Sequence, residues 1–122
     1  MKIRVYYEDT DVGGVVYYAN YLKFCERARS ELFFKKGLSP HISENEFFVV
    51  KEVNAKYIKP AKFGDLLDVS AKLEVKKSAS LIMYQEVKKD EEVLFTARFK
   101  LAFLKNFKPT KIPNELYEVF YD

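Results

Sequence analysis

The stretch YANYLKFCERARSELFFKKG, residues 18–37, is where the apolar period of the chain changes from two to nearly four. Tyr21, Cys25, Ala28 and Leu32 recur at helical spacing with Phe24 beside them, and Glu26, Arg27, Arg29, Ser30 and Glu31 fill much of the other face. Glu31 and Lys35 stand four apart, a pair that supports a helix modestly. Gly37 is expected to stop the helix and Pro40 to bar a restart nearby. The spacing therefore predicts one helix over residues 18–36, roughly 27 Å long.

On both sides of that helix the signals are those of strands. Ile3, Val5 and Tyr7 alternate with Lys2, Arg4 and Tyr6, which predicts a strand over residues 2–8. Residues 9–14 read as a loop, marked by Gly13 and Gly14. After the helix, residues 47–58 form one run. Residues 66–75 alternate cleanly, with Leu67, Val69, Ala71, Leu73 and Val75 on one face. Residues 81–88 and 93–104 follow, the last with Val93, Phe95, Ala97, Phe99, Leu101 and Phe103 aligned. The connections at 77–80 and 89–91 are hairpin length, so the last three strands are expected to form an antiparallel meander. Pro109 and Pro113 open a tail that ends in a helical turn near Leu116 to Phe120. The expected architecture is α+β: a single domain over residues 1–122, with one long helix against a curved antiparallel sheet of about five strands. One helix covers such a sheet incompletely. Ile82, Tyr84, Leu94, Ala102 and Leu104 on the second face, and Phe47 to Val50, are then left as apolar surface that points to self-association.

Composition narrows the function classes. The 122 residues carry 11 Phe and 9 Tyr but no Trp, enough aromatic surface for a large core, an interface or an apolar pocket. Twenty-one Lys and Arg against 18 Asp and Glu leave a net charge of +3, too weak to demand a nucleic acid and compatible with an anionic small ligand. The one cysteine, Cys25, forms no intrachain disulfide, which points to a reducing, cytoplasmic setting. No apolar run reaches the ~18 residues of a membrane span, and no signal-like apolar segment follows the basic start. A single His leaves little room for histidine-based catalysis.

The chemistry-bearing segment lies just before the helix, from Tyr6 to Tyr21. Asp9 and Asp11 cluster in a loop, Gly13 and Gly14 follow, and a helix opens behind them. The first N–H groups of a helix lack intrahelical acceptors and sit at the positive end of its dipole, where they hold an oxyanion or polarise a carbonyl. A carboxylate beside them can attack that carbonyl or take a proton from a water that does. The plainer alternative makes Asp9 and Asp11 turn residues, with the glycines supplying positive φ.

Asp9-Thr10-Asp11-x-Gly13-Gly14-Val15-Val16-Tyr17, then Ala19 to Phe24 and Glu26 to Arg29, resembles the YbgC-like acyl-CoA thioesterases of the 4-hydroxybenzoyl-CoA thioesterase-like group of hot-dog folds. Tyr57 to Asp65 supplies a second, supporting match. The resemblance implies hydrolysis of a thioester, with Asp11 as nucleophile or general base and the Tyr18 backbone N–H binding the carbonyl. Candidate substrate contacts are Val16 and Tyr17 in the first stretch and Lys59 and Pro60 in the second. It further implies coenzyme A as part of the substrate, no separate cofactor and no metal. Sites would lie between subunits whose sheets join edge to edge, in a homodimer or homotetramer. Many relatives carry His where Tyr18 stands here; others in the wider group carry Tyr.

Other readings of the same residues compete. Asp9-x-Asp11 does not continue as a calcium loop, because Gly13 stands where an acid or amide is needed and Asn20 where a Glu is needed. Gly13-Gly14 is not followed by the Lys-Ser/Thr of a phosphate loop. His41 reads as a solvent or loop histidine and Cys25 as a small core residue. Lys56, Lys59, Lys62, Lys76, Lys77, Lys88 and Lys89 read first as solvated surface, and otherwise as contacts for coenzyme A phosphates. Tyr6, Tyr7, Tyr17, Tyr21 and Phe24 are expected mostly in the core, with one or two lining an acyl pocket. The same fold without turnover, holding an acyl carrier or a protein partner, is the alternative function. RNA binding by the Arg98 to Phe103 strand is weaker, since the glycines of that signature are absent.

Overall fold

The computed structural model describes residues 1–121. Its first strand, β1 (Lys2–Arg4), is shorter than the alternation predicts. The Asp9 carboxylate accepts the Tyr6 N–H at 2.9 Å and winds Tyr7–Asp9 into a 3-10 turn, which ends the strand. The long helix, α1 (Asn20–Phe34), buries the predicted stripe of Tyr21, Phe24, Cys25, Ala28 and Leu32 and adds Phe33. Its end is closed as Gly37 forecasts. Gly37 takes φ +71°, its N–H donates to Phe34 O, and Leu38 N–H donates to Phe33 O, both at 3.0 Å. This paired closure satisfies carbonyls the helix leaves open.

Seven further strands follow: β2 (His41–Ser43), β3 (Glu46–Tyr57), β4 (Leu66–Val69), β5 (Lys72–Lys76), β6 (Ser80–Lys89), β7 (Glu92–Lys105) and β8 (Lys108–Pro109). A short helix, α2 (Asn114–Tyr117), and a 3-10 turn at Glu118–Phe120 realise the expected helical tail. All eight strands share one antiparallel sheet in the order β1-β4-β6-β7-β3-β2, with β5 also on β6 and β8 on β7. The count exceeds the expected five for two reasons. β2 and β8 are too short to show a period. The predicted strand over 66–75 is broken at Ser70, whose N–H donates to Glu86 O while its Oγ accepts the Glu86 N–H.

The core lies between α1 and the concave face of the sheet. Register places Met83, Phe99 and Val53 in one row across β6, β7 and β3, and Val87, Phe95 and Tyr57 in another. Phe24, Phe95 and Phe99 are almost wholly buried, each contributing about 2–3 kcal/mol by area. Tyr21 stacks on Phe95 and the Arg29 guanidinium lies 4.4 Å from the Phe99 ring centre. Eight residues of helix and four of strand each span about 12–13 Å, so α1 runs alongside β7. Arg29, expected on the solvent side, is thus a buried residue.

Coverage is uneven. Along β3, Val50, Val53 and Tyr57 on the concave face remain exposed, and beyond Glu46 and Phe47 its outer edge has no strand partner among the described residues. The second face is less open than expected. Leu94 and Ala102 are buried, and Ile82, Tyr84 and Leu104 half-buried. No described helix is long and apolar enough to cross a membrane.

Candidate active site

Residues 10–16 form a small hairpin in which Thr10 bridges Val16, while Val15 bridges Lys62. At its tip, Asp11 N–H donates to Val15 O at 2.9 Å and Gly14 N–H donates to Asp11 O at 3.0 Å. Gly14 takes φ +77°, a conformation an L side chain resists. Gly13 N–H donates to Asp11 Oδ1 at 2.8 Å. A Cβ at residue 13 would stand 3.3 Å from that oxygen, so the small residue keeps the approach open. The Asp11 carboxylate is exposed, oriented through one oxygen, and its Oδ2 has no partner among the described residues. The turn reading and the catalytic reading therefore meet in one side chain.

Asp9 has a different task. It is buried, and its carboxylate caps the Tyr7–Asp9 turn. Its carbonyl accepts Tyr17 N–H at 2.9 Å and the Asn20 side-chain amide at 3.1 Å. These two bonds tie the hairpin to the start of α1.

That start is left open. Ala19 already has helical angles and no side chain caps the terminus. Among the described residues the N–H groups of Tyr18 and Ala19 have no acceptor. They sit at the positive end of α1, where an anion or a polarised carbonyl oxygen is favoured. Two phenols fasten the same junction: Tyr57 donates to Tyr18 O at 2.8 Å, and Tyr21 accepts Ala61 N–H at 3.0 Å. Burial pushes the Tyr57 and Tyr21 phenols above the usual tyrosine value, which keeps Tyr57 protonated as a donor.

Exposed rings surround the hairpin and the helix start. Tyr17 and Tyr18 lie 4.8 Å apart, Tyr18 and Tyr57 6.4 Å, and Tyr7 and Phe63 6.4 Å. Tyr6, Tyr7 and Tyr17 are thus at the surface, not in the core as expected; only Tyr21 and Phe24 of that group are buried. Val16 is 4% exposed and anchors the hairpin through its N–H to Ala61 O. Tyr17 and Pro60 are exposed, and so is Lys59, whose ammonium pairs with Glu92 at 2.5 Å.

The remaining candidates lie elsewhere. His41 is exposed on β2, with its ring 6.4 Å from that of Phe47. Cys25 is fully buried, and burial pushes its thiol up to about 12. Among the described residues no three His, Cys, Asp or Glu side chains gather as metal ligands. Reading the sequence placed Tyr57, Asn20 and Ala19 within the resembling stretches but gave them no role of their own. Their contributions are a long-range phenol bond, a side-chain amide bond and an empty cap, and no local pattern reports these.

The chain is similar to known thioesterases. The model of a family described as the thioesterase superfamily matches residues 13–96. An acyl-CoA thioesterase YbgC of Haemophilus influenzae is 38% identical, over 98% of this chain and 91% of its own length. A protein of the same name from Helicobacter pylori is 45% identical over 71% of this chain, and the match spans 65% of its length. The crystal structure of a probable thioesterase from Bartonella henselae superposes with a TM-score of 0.87, covering 93% of this chain and 97% of that one at 33% identity. The curled antiparallel sheet around one helix is the hot-dog arrangement.

Proposed function

The chain belongs to the thioesterase superfamily, and from that premise we propose that it hydrolyses an acyl-CoA thioester to a carboxylic acid and coenzyme A. The observation that carries the reading is the pairing of one unpartnered carboxylate oxygen, on Asp11, with two unpartnered N–H groups, on Tyr18 and Ala19, at a junction tied together through Asp9. The thioester carbonyl oxygen is received by the N–H of Tyr18. As the carbonyl carbon becomes tetrahedral its oxygen gains charge, and donors already in place stabilise it without reorganising. Asp11 either takes a proton from the attacking water or attacks the carbon itself to form an anhydride that water then opens. In both routes the C–S bond breaks and the thiolate leaves and is protonated. No metal or cofactor takes part.

The exposed rings of Tyr17, Tyr18 and Tyr57, with Pro60, make an apolar approach to that carbonyl. Lys59, at the mouth, exchanges Glu92 for a phosphate of coenzyme A. The free edge of β3 supports a homodimer in which two such edges pair and bring the sites beside a second subunit. A homotetramer would then be built from two such dimers. The single buried thiol suits work in the cytoplasm. Release of thiol from a panel of short, long and aromatic acyl-CoAs, followed with a thiol reagent, tests the proposal. Turnover of at least one supports it. Silence across the panel would favour the same fold acting as a carrier-binding module.

A further inference from the structure

About 13 Å along α1 from its open end, Arg29 is 9% exposed and yet has no carboxylate within salt-bridge distance among the described residues. Its Nη1 donates to Gln85 Oε1 at 2.8 Å, and its guanidinium plane lies over Phe99. Gln85, fully buried, spends its own amide on the carbonyls of Cys25 and Ser70, each at 3.0 Å. Its oxygen is therefore fixed, and it satisfies one guanidinium donor only. Among the described residues no side-chain nitrogen that is sealed from solvent lacks a partner, so the remaining donors of Arg29 open on space.

That space is a cavity of about 110 Å³ between α1 and β3, walled by Arg29, Phe33, Phe48, Val50, Leu101 and Phe120. Glu26 and Ser30 stand at its rim, where Ser30 donates to Glu26 Oε1 at 2.9 Å, and Glu26 is exposed. A cation with spare donors in an apolar cavity costs free energy unless something answers it. An apolar ligand end would leave those donors unanswered; an acceptor oxygen would complete them.

An exposed apolar strip on β3 leads from the cavity toward the active site. Val50, Val53, Ala55 and Tyr57 lie on the concave face of β3, and α1 leaves Val50, Val53 and Tyr57 exposed. Val50 walls the cavity and Tyr57 binds the Tyr18 carbonyl. An uncovered apolar strip thus runs from the helix start to Arg29.

We propose that this strip holds the acyl chain and that Arg29 selects acyl groups whose far end carries an acceptor oxygen, as a hydroxyl or a carboxylate. This rests on the thioesterase reading and adds the class of substrate. A span of about 13 Å corresponds to roughly ten bonds of an extended chain. The test compares kcat/KM of the intact protein on ten-carbon acyl-CoAs ending in methyl, hydroxyl or carboxylate, with butyryl-CoA as a short control. The parent is expected to favour at least one oxygen-ended chain about tenfold over the methyl-ended one. Arg29→Met is expected to erase that preference, bringing the ratio of kcat/KM between oxygen-ended and methyl-ended chains to about one. A merely structural arginine would lower all substrates by one factor, and that result overturns the proposal. So does a parent that prefers the methyl end. Turnover of butyryl-CoA with none of the ten-carbon chains removes this inference and leaves the thioesterase reading intact; no turnover of any removes this inference, and the thioesterase reading then rests on the aromatic acyl-CoAs of the wider panel. Should Arg29→Met fail to fold, protection of the parent against thermal unfolding by decanedioate or 10-hydroxydecanoate, but not by decanoate, supports the inference, and equal protection by all three contradicts it.

Discussion

The two ends of α1 are built on opposite principles. At the C-terminal end every device of closure is present. Gly37 adopts the left-handed conformation, two N–H groups answer two carbonyls, and Phe33 packs edge-on against Phe120 at 5.5 Å beside Phe48. At the N-terminal end, among the described residues, there is no side-chain cap, two N–H groups have no acceptor, and the neighbouring tyrosines Tyr17 and Tyr18 face solvent. A missing cap forgoes about 1 kcal/mol. The same helix shows that the chain builds a proper terminus where it needs one. In the proposed function the open end is the reactive one, and the closed end is its foundation.

This contrast can be broken at either end. The largest effect falls at the open end. Asp11→Asn keeps the acceptor for Gly13 N–H and should melt within a degree or two of the parent, while kcat for thiol release falls by about a thousandfold. At the closed end, Phe33→Ala should cost about 3–4 kcal/mol of stability in urea titration, with kcat per folded molecule nearly unchanged on butyryl-CoA, which is too short to reach Phe33. Ala19→Asp would place a negative charge beside the two open donors. It should lower kcat about tenfold without lowering the melting temperature. Gly37→Ala should lose about 1 kcal/mol of stability, because φ +71° disfavours a Cβ, and should leave kinetics alone. The smallest effect concerns Cys25. With its thiol pushed up to about 12, the thiolate is scarce at neutral pH and grows only toward that value. A thiol reagent should find no reactive group in the native protein at pH 8 and one after denaturation.

The regular parts of the molecule were legible because their causes are local. The stripe Tyr21, Cys25, Ala28 and Leu32 needs one face of one helix, and the alternation of Phe95 to Phe103 needs one face of one strand. The loop of Asp9, Asp11 and the glycines, and the helix behind it, were legible for the same reason, being a contiguous stretch whose turn chemistry is set by its own residues; the choice of Asp11 over Asp9 came from the family resemblance. What escaped depends on distant partners. Arg29 is buried because Gln85 and Phe99 receive it, 56 and 70 positions away. The strand over 66–75 breaks because Ser70 bonds to Glu86 across the sheet. Tyr7 leaves the first strand because Asp9 caps the turn beneath it, and Tyr57 enters the site through a bond to Tyr18, 39 positions away.

The central claim is that the Asp11 carboxylate and the open donors of Tyr18 and Ala19 act on one carbonyl as a unit. Measuring kcat for Asp11→Asn, Ala19→Asp and the double variant on a single acyl-CoA tests it most directly. Groups that work together lose their effects together, so the double variant should be no slower than about twofold below Asp11→Asn alone. Losses that multiply in full, or an Asp11→Asn enzyme as fast as its parent, would contradict the claim.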